Sequence, residues 1–116
     1  MEKLTYQFFG KEYPIYFELA QYANNGNLAV NMLTDLEIID APFGCCTVNL
    51  CMNLQMGFAY IDENNLPGIT TWLEENGLGS RIAGCFATSG FCTYQLFKFD
   101  MVELLKYTKY DRRKTK

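Results

Sequence analysis

Apolar and polar residues alternate over much of the first half of the chain, which is the pattern of strands with one buried face. Four runs alternate in this way and are predicted to be strands: residues 4–9, 12–22, 28–33 and 45–52. Gly10-Lys11 predicts a tight hairpin turn between the first two runs, and the Asn-Gly pair at 25–26 predicts a turn before the third. We expect residues 34–44 to form a connection with a local turn.

The hydrophobic period changes after residue 66. Residues 67–76 place Ile69, Trp72 and Leu73 on one helical face, with Gly77 suited to the position just past a helix end. The Gly-, Ser- and Thr-rich stretch 78–90 is interpreted as a loop, and residues 91–99 as the last strand. Asp100 is a good N-cap for a helix over residues 101–107.

Together these elements predict an α+β fold. It consists of an antiparallel β-sheet meander of about five strands, with one or two short helices packed on one face. We expect residues 1–105 to form a single compact domain. Residues 106–116 are expected to form a basic C-terminal tail that is partly helical or disordered.

Charge is divided unevenly along the chain. The net charge of −3 comes from 10 Lys and Arg and 13 Asp and Glu residues. Residues 106–116 contain six bases and one acid, whereas no Lys or Arg lies between Lys11 and Arg81. The folded part is therefore expected to be acidic and to favour a basic protein partner over direct nucleic-acid binding, which needs clustered cations.

Two candidate binding regions follow from this distribution. An acidic face is predicted from seven carboxylates: Asp35, Glu37, Asp40, Asp62, Glu63, Glu74 and Glu75. The alternative site, for nucleic acid, is the tail: Lys109, Arg112, Arg113 and Lys114. Arg81, the only cation in the middle of the chain, is expected to pair with a carboxylate or with backbone carbonyls.

Little in the sequence points to catalysis or to a cofactor. The chain has no histidine, which is both the commonest general base and a common metal ligand. Its five cysteines are odd in number and lack zinc-site spacing, so most are expected to be free, buried and apolar in character. We predict a non-enzymatic protein with no cofactor and no metal site.

The location of the protein is also an expectation from sequence. No apolar run reaches about 18 residues, so no membrane span is expected. The opening Met-Glu-Lys-Leu-Thr lacks the pattern of a signal peptide. A cytoplasmic protein, monomeric or homodimeric, is therefore expected. The outer-face tyrosines Tyr16 and Tyr22 either pack in the fold or anchor a protein interface.

A series of short motifs carries a family resemblance over residues 3 to about 105. They are Tyr-Gln-Phe-Phe-Gly-Lys-Glu-Tyr at 6–13, Asn-Asn-Gly-Asn-Leu-Ala at 24–29, Thr-Val-Asn-Leu at 47–50, Ala-Tyr-Ile-Asp at 59–62, Glu-Glu-Asn-Gly-Leu-Gly at 74–79 and Ser-Gly-Phe-Cys-Thr-Tyr at 89–94. The chain resembles a family of small domains of unknown function carried by bacterial conjugative elements, plasmids and phages.

This resemblance implies a biological setting without assigning functional residues. Some small proteins of such elements are anti-CRISPR proteins, and the chain is similar to proteins of that kind. The resemblance therefore implies that the protein inhibits a host defence nuclease, with a Cas9-like target, in the cytoplasm of a bacterial host. The alternative is a nucleic-acid-associated accessory protein of a conjugative element or plasmid.

Overall fold

In the computed structural model, which describes residues 1–37 and 39–113, the chain folds into nine strands and two short helices. The strands are β1 (Leu4–Phe8), β2 (Lys11–Gln21), β3 (Leu28–Leu36), β4 (Ile39–Cys45), β5 (Thr47–Val48), β6 (Phe58–Ile61), β7 (Gly79–Ser89), β8 (Cys92–Phe99) and β9 (Thr108–Asp111). The helices are α1 (Ile69–Glu75) and α2 (Met101–Leu105).

The strands form two sheets rather than one meander. The first has the order β1-β2-β3-β4, with β9 alongside β2, and the second has the order β5-β6-β8-β7. Every described pairing is antiparallel except that of β9 with β2, which is parallel. The predicted α+β class, with an antiparallel sheet and short helices, is confirmed.

The core is built from the inward faces of both sheets and from the two helices. In β2 the alternate residues Ile15, Phe17 and Leu19 are fully buried, as a period of two requires. The core cluster also draws on the second sheet and on the helices: Ala59, Ile61, Ile69, Leu73, Phe97, Phe99 and Leu104.

The β1–β2 hairpin turns one residue earlier than predicted. Phe9 and Gly10 both have positive φ, 50° and 78°, so they form the two-residue turn. Phe8 and Lys11 form the hydrogen-bonded pair that closes this hairpin. Because hydrogen-bonded and non-hydrogen-bonded pairs alternate along an antiparallel ladder, the nitrogen of Pro14 points away from β1. Pairing with β3 begins only at Tyr16, so the missing donor of Pro14 interrupts no ladder.

The prediction of a connection over 34–44 is wrong, because this segment turns at Glu37 (φ 59°) and returns as β4. β4 contains Pro42, which is tolerated because β4 lies at the edge of its sheet. The predicted strand over 45–52 is reduced to β5. The loop that follows is held by Asn27, whose amide donates to the carbonyl of Met52 (2.6 Å) and accepts from the Leu54 N–H (2.9 Å).

The loop predicted over 78–90 is instead β7, an outer strand with a wide irregularity between Arg81 and Phe86. Within β7, Gly79 is needed for packing rather than for a loop. A Cβ on Gly79, where φ is 150°, would lie 2.2 Å from the carbonyl oxygen of Lys98 and 2.6 Å from the ring of Phe97. The absence of a side chain lets β7 lie this close to β8.

The expectation of a partly helical or disordered tail is corrected for residues 106–113, and residues 114–116 lie outside the described residues. α2 ends at Leu105 and the chain continues into β9, beside the second half of β2. The N–H of Phe17 donates to the carbonyl of Tyr107 (2.8 Å), and the N–H of Arg112 donates to that of Leu19 (2.7 Å). The open edge of β2 thus supplies the hydrogen-bond partners that a frayed tail would lack.

The predicted cap at the start of α2 and the predicted glycine after α1 are confirmed, whereas α2 ends at Leu105 rather than at residue 107. Asp100 caps α2, accepting from the N–H groups of Val102 (3.1 Å) and Glu103 (3.2 Å). Gly77 follows the C-cap of α1 with φ 73°.

Candidate functional site

The seven carboxylates predicted as one acidic face lie on two parts of the fold. Asp35, Glu37 and Asp40 lie on the β3–β4 hairpin. The other four belong to α1 and the segment that leads into it: Asp62, Glu63, Glu74 and Glu75. The two groups differ in how many of their negative charges are compensated within the chain.

Two members of the first group, Asp35 and Asp40, contact the hydroxyl of the buried Tyr16. Asp35 and Asp40 are opposite each other in the β3–β4 ladder, where like charges repel. The Tyr16 hydroxyl donates to Asp40 and lies 3.0 Å from Oδ1 of Asp35, so both carboxylates share its single proton. Lys3 pairs with Asp35, and Lys109 Nζ lies 3.0 Å from Oδ1 of Asp40. The repulsion is therefore compensated by a hydroxyl and two cations.

These contacts move the pKa values of the cluster in opposite directions. Burial and the hydrogen bonds to the two carboxylates raise the pKa of Tyr16. Hydrogen bonds from Tyr16, Tyr110 and Lys109 lower the pKa of Asp40 to about 2. The hydrogen bond from Lys3 lowers the pKa of Asp35. At neutral pH the cluster therefore holds two carboxylates and a neutral phenol.

The cluster also binds the basic segment to the body. From β9, Lys109 contacts Asp40 through both carboxylate oxygens, and the Tyr110 hydroxyl donates to Oδ2 of Asp40 (2.7 Å). Arg112 Nε lies 2.5 Å from Glu18, and Arg113 is paired with Asp111. Three of the four cations of the alternative nucleic-acid site thus form ion pairs inside the chain. The fourth, Lys114, lies outside the described residues.

The second group carries charge that is less compensated. Glu63 accepts hydrogen bonds from the N–H groups of Gly68 (2.8 Å) and Thr70 (2.7 Å) at the start of α1. Asp62 accepts from the amide of Asn65 (2.7 Å). Neither forms an ion pair with any described residue, and nor does the exposed Glu75.

Glu74 is the member of this group that has a cation. Arg81 Nε and Nη2 lie 3.1 and 2.9 Å from its Oε1, and the Arg81 N–H donates to Oε2 (2.9 Å). These hydrogen bonds lower the pKa of Glu74. The predicted pairing of Arg81 with a carboxylate is confirmed, and it joins α1 to the start of β7.

An acidic excess persists after internal pairing. Six of the 13 Asp and Glu residues form ion pairs with described residues. Among the described cations only Lys11 and Lys98 form none. The seven carboxylates outside these pairs are Glu2, Glu12, Glu37, Asp62, Glu63, Glu75 and Asp100. Three of the seven lie within the short segment 62–75.

Several other candidate groups serve the fold. Tyr16 is fully buried, so it is not a surface anchor, and the half-buried Tyr22 has its hydroxyl 3.2 Å from that of Thr47. Only Cys46 among the cysteines is buried, contrary to the expectation for most of them, and Cys51 and Cys85 are exposed. Within the described residues no group of three or more His, Cys, Asp or Glu side chains could hold a metal ion.

A cleft of 510 Å³ lies where β7 meets the start of α2. Its ionisable side chains are Lys98 and Asp100. The carboxylate of Asp100 caps α2, and the Lys98 ammonium lies over the ring of Phe58 at 5.6 Å from its centroid. Both groups thus make contacts within the fold.

Sequence reasoning missed an exposed apolar hairpin. The outer part of β7 and β8 displays Phe86, 58% exposed, and Phe91, fully exposed at the turn. The available signal was the run 82–97, which contains no charged residue. Its glycines and small residues had favoured a loop.

Comparison with known proteins gives a family without an activity. Neither α1 nor α2, the helices of the described chain, is long and apolar enough to cross a membrane. No curated protein and no solved structure matches the chain significantly. One family matches residues 16–116, and its description is a domain of unknown function (DUF4313). Because this match covers most of the sequence, the chain belongs to the DUF4313 family.

Proposed function

We propose that this protein is a non-enzymatic inhibitor that binds a basic, nucleic-acid-handling protein of a host defence system, with a nuclease of the Cas9 type as target. The observation that carries the proposal is the group of carboxylates without an ion-pair partner beside α1. Asp62, Glu63 and Glu75 lie within 14 residues of sequence and form no ion pair with a described residue. Such a surface suits a channel that normally holds phosphates.

The position of Glu63 supports this role. The N–H groups of Gly68 and Thr70 at the start of α1 hold its carboxylate in one orientation, so little side-chain entropy is lost on binding. Glu75, at the other end of α1, is exposed. The mechanism is steric and electrostatic: the acidic segment occupies a basic surface and excludes nucleic acid from it. The resemblance to proteins of bacterial mobile elements supplies the setting.

The test uses a single charge reversal with a matched control. Glu75→Lys changes an exposed carboxylate of α1, and Glu12→Lys makes the same change on the exposed β1–β2 hairpin. We expect Glu75→Lys to weaken binding to a purified, guide-loaded Cas9-type nuclease about tenfold and to reduce inhibition of DNA cleavage in parallel. Glu12→Lys should have little effect. Equal effects of the two variants, or none, would contradict an α1 site.

The tail alternative is distinguished in the same preparation. Arg112→Gln combined with Arg113→Gln removes two cations, and binding of a labelled DNA duplex is then measured against salt. We expect the wild-type protein to bind the duplex no better than this variant, because both arginines are already paired with carboxylates. Salt-sensitive duplex binding that the variant loses would favour the accessory role.

A further inference from the structure

The outer part of the β7–β8 hairpin, residues 82–96, is unlike the rest of the surface. None of its residues is buried, although Phe86 is 58% exposed and Phe91 is fully exposed. The sequence from 82 to 97 contains no Asp, Glu, Lys or Arg. We call residues 82–96 the arm.

The arm is a two-stranded ribbon with an open edge. β6 pairs with β8 only as far as Gln95, so β8 beyond that residue has β7 as its described neighbour. No described strand pairs with the outer edge of β7. A two-stranded hairpin is only marginally stable in water, and edge strands are commonly protected by charge or proline. The arm has neither protection.

The arm is nevertheless held in an extended form. The side-chain amide of Gln95 donates to the carbonyls of Ile82 (2.8 Å) and Cys85 (3.1 Å), which fixes the irregular segment between them. Beyond it, β7 pairs regularly with β8 from Phe86 to Ser89. The two-residue turn makes Ser89 and Cys92 the hydrogen-bonded closing pair. By alternation, the N–H and C=O groups of Phe86 and Thr88 point to the open edge.

We propose that two copies of this chain associate through antiparallel pairing of their β7 edges, with residues 86–88 at the centre. The product is one continuous sheet in which the two four-stranded sheets are joined. An antiparallel strand pairs with its own copy about a two-fold axis, so this contact is self-complementary and closed. The proposal does not depend on the proposed function.

Charge favours a second copy at this edge. The arm brings no like charges together, whereas seven carboxylates and two cations outside ion pairs oppose contact over the rest of the described surface. A basic partner, by contrast, gains nothing from an uncharged strand. Salt should therefore strengthen the dimer by screening repulsion between the two acidic bodies.

The exposed phenylalanine side chains of the arm supply part of the area that a dimer interface needs. A phenylalanine exposes roughly 150–250 Å². At their observed exposures, Phe86 and Phe91 offer about 300 Å² per copy, or about 600 Å² for the pair. A standard interface buries roughly 1,600 Å² in total. The main chain of β7 and its small side chains supply further area, together with up to four inter-strand hydrogen bonds from Phe86 and Thr88.

A dimer of this kind carries two α1 segments. A partner with two basic surfaces would then be bound bivalently, with an affinity gain set by their spacing. Loss of dimerisation should leave the binding of a single α1 segment intact.

The experiment is sedimentation equilibrium of the full chain at several concentrations, in low and high salt, with a proline pair as variant and control. Thr88→Pro removes a donor that faces the open edge and keeps the β7–β8 ladder. Thr93→Pro makes the same change directly opposite, on the other edge of the ribbon. Thr88→Lys is a second variant that places cations across the two-fold axis. Circular dichroism and Trp72 fluorescence report whether each variant is folded.

We expect a wild-type dimer whose dissociation constant decreases as the salt concentration is raised from ~0.05 to ~0.5 M. Thr88→Pro and Thr88→Lys should weaken it by about tenfold or more, and Thr93→Pro should not. Three outcomes would each overturn the proposal: a wild-type monomer up to about 1 mM, where association is already very weak; equal effects of the two proline variants; or weaker association at high salt.

Discussion

The Tyr16 hydroxyl should contribute measurably to stability, because it compensates two carboxylates that the ladder places opposite each other. Tyr16→Phe removes this group and leaves the fully buried ring in place. Hydrogen bonds to charged groups contribute roughly 1.5–3 kcal/mol. Lys3, Lys109 and Tyr110 still contact the carboxylates in the variant, so we expect a loss of about 2 kcal/mol and a fall in Tm of about 6–10 °C.

Urea unfolding followed by fluorescence of Trp72, the single tryptophan, measures the effect. Tyr6→Phe is the matched control. That ring is also buried, but its hydroxyl lies 3.5 Å from the carbonyl of Pro67, at the limit of a hydrogen bond. Tyr6→Phe should therefore cost well under about 1 kcal/mol. If the two variants are equally stable, the assignment of the Tyr16 cluster as a stabilising group is wrong.

Wild type and Tyr16→Phe should differ in how their free energies of unfolding depend on pH. The pKa of Asp40 is lowered to about 2, so its contribution is complete above the unfolded value near 3.8 and is lost as pH falls toward 2. The pKa of Tyr16 is raised, so its contribution is complete below about 10 and declines as pH rises further. The advantage of wild type over Tyr16→Phe should thus be constant between about pH 5 and 9 and shrink on both sides. An advantage that peaks in acid would refute this reasoning.

Three other substitutions or reactions test the fold around the candidate sites. Gly79→Ala should fail to fold or lose more than about 3 kcal/mol in urea unfolding, because the new Cβ would clash with the main chain of β8 at a positive φ. Asp100→Ala should cost about 1 kcal/mol in the same assay through loss of the α2 cap. Thiol labelling of the native chain should be fast at Cys51 and Cys85 and should reach Cys46 only on unfolding, since burial also raises the pKa of that thiol.

Local signals in the sequence were sufficient for the helices and for the first hairpin. Asp100 and Gly77 mark helix ends through short-range hydrogen bonds and backbone geometry, which depend on neighbouring residues alone. The alternation in β2 identified Ile15, Phe17 and Leu19 as one face. The antiparallel sheet could be predicted as well, because the two-residue period of a half-buried strand is visible in the strand's own sequence.

The missed strands depend on contacts that are distant in sequence. β9 exists because β2, some 90 residues earlier, leaves an edge open to Thr108. β4 carries a proline that only an edge strand accepts, and its place at the edge is a property of the sheet. In β7, Gly79 is required by the approach of Lys98, so a residue typical of loops marks tight strand packing instead.

The predicted charged sites had to be revised for the same reason. The positions of charged residues along a sequence do not show which of them form ion pairs in the fold. The acidic body and the basic segment were predicted as separate surfaces for separate partners. In the fold Lys109 binds Asp40 and Arg112 binds Glu18, so the basic segment serves first to fasten β9 to the body. Lys109 compensates Asp40 of the β3–β4 hairpin, whereas Asp62, Glu63 and Glu75 form no ion pair with a described cation. Under the proposed function, a basic partner would be attracted mainly to the segment around α1, and the proposed dimer would form through the uncharged arm of β7 and β8.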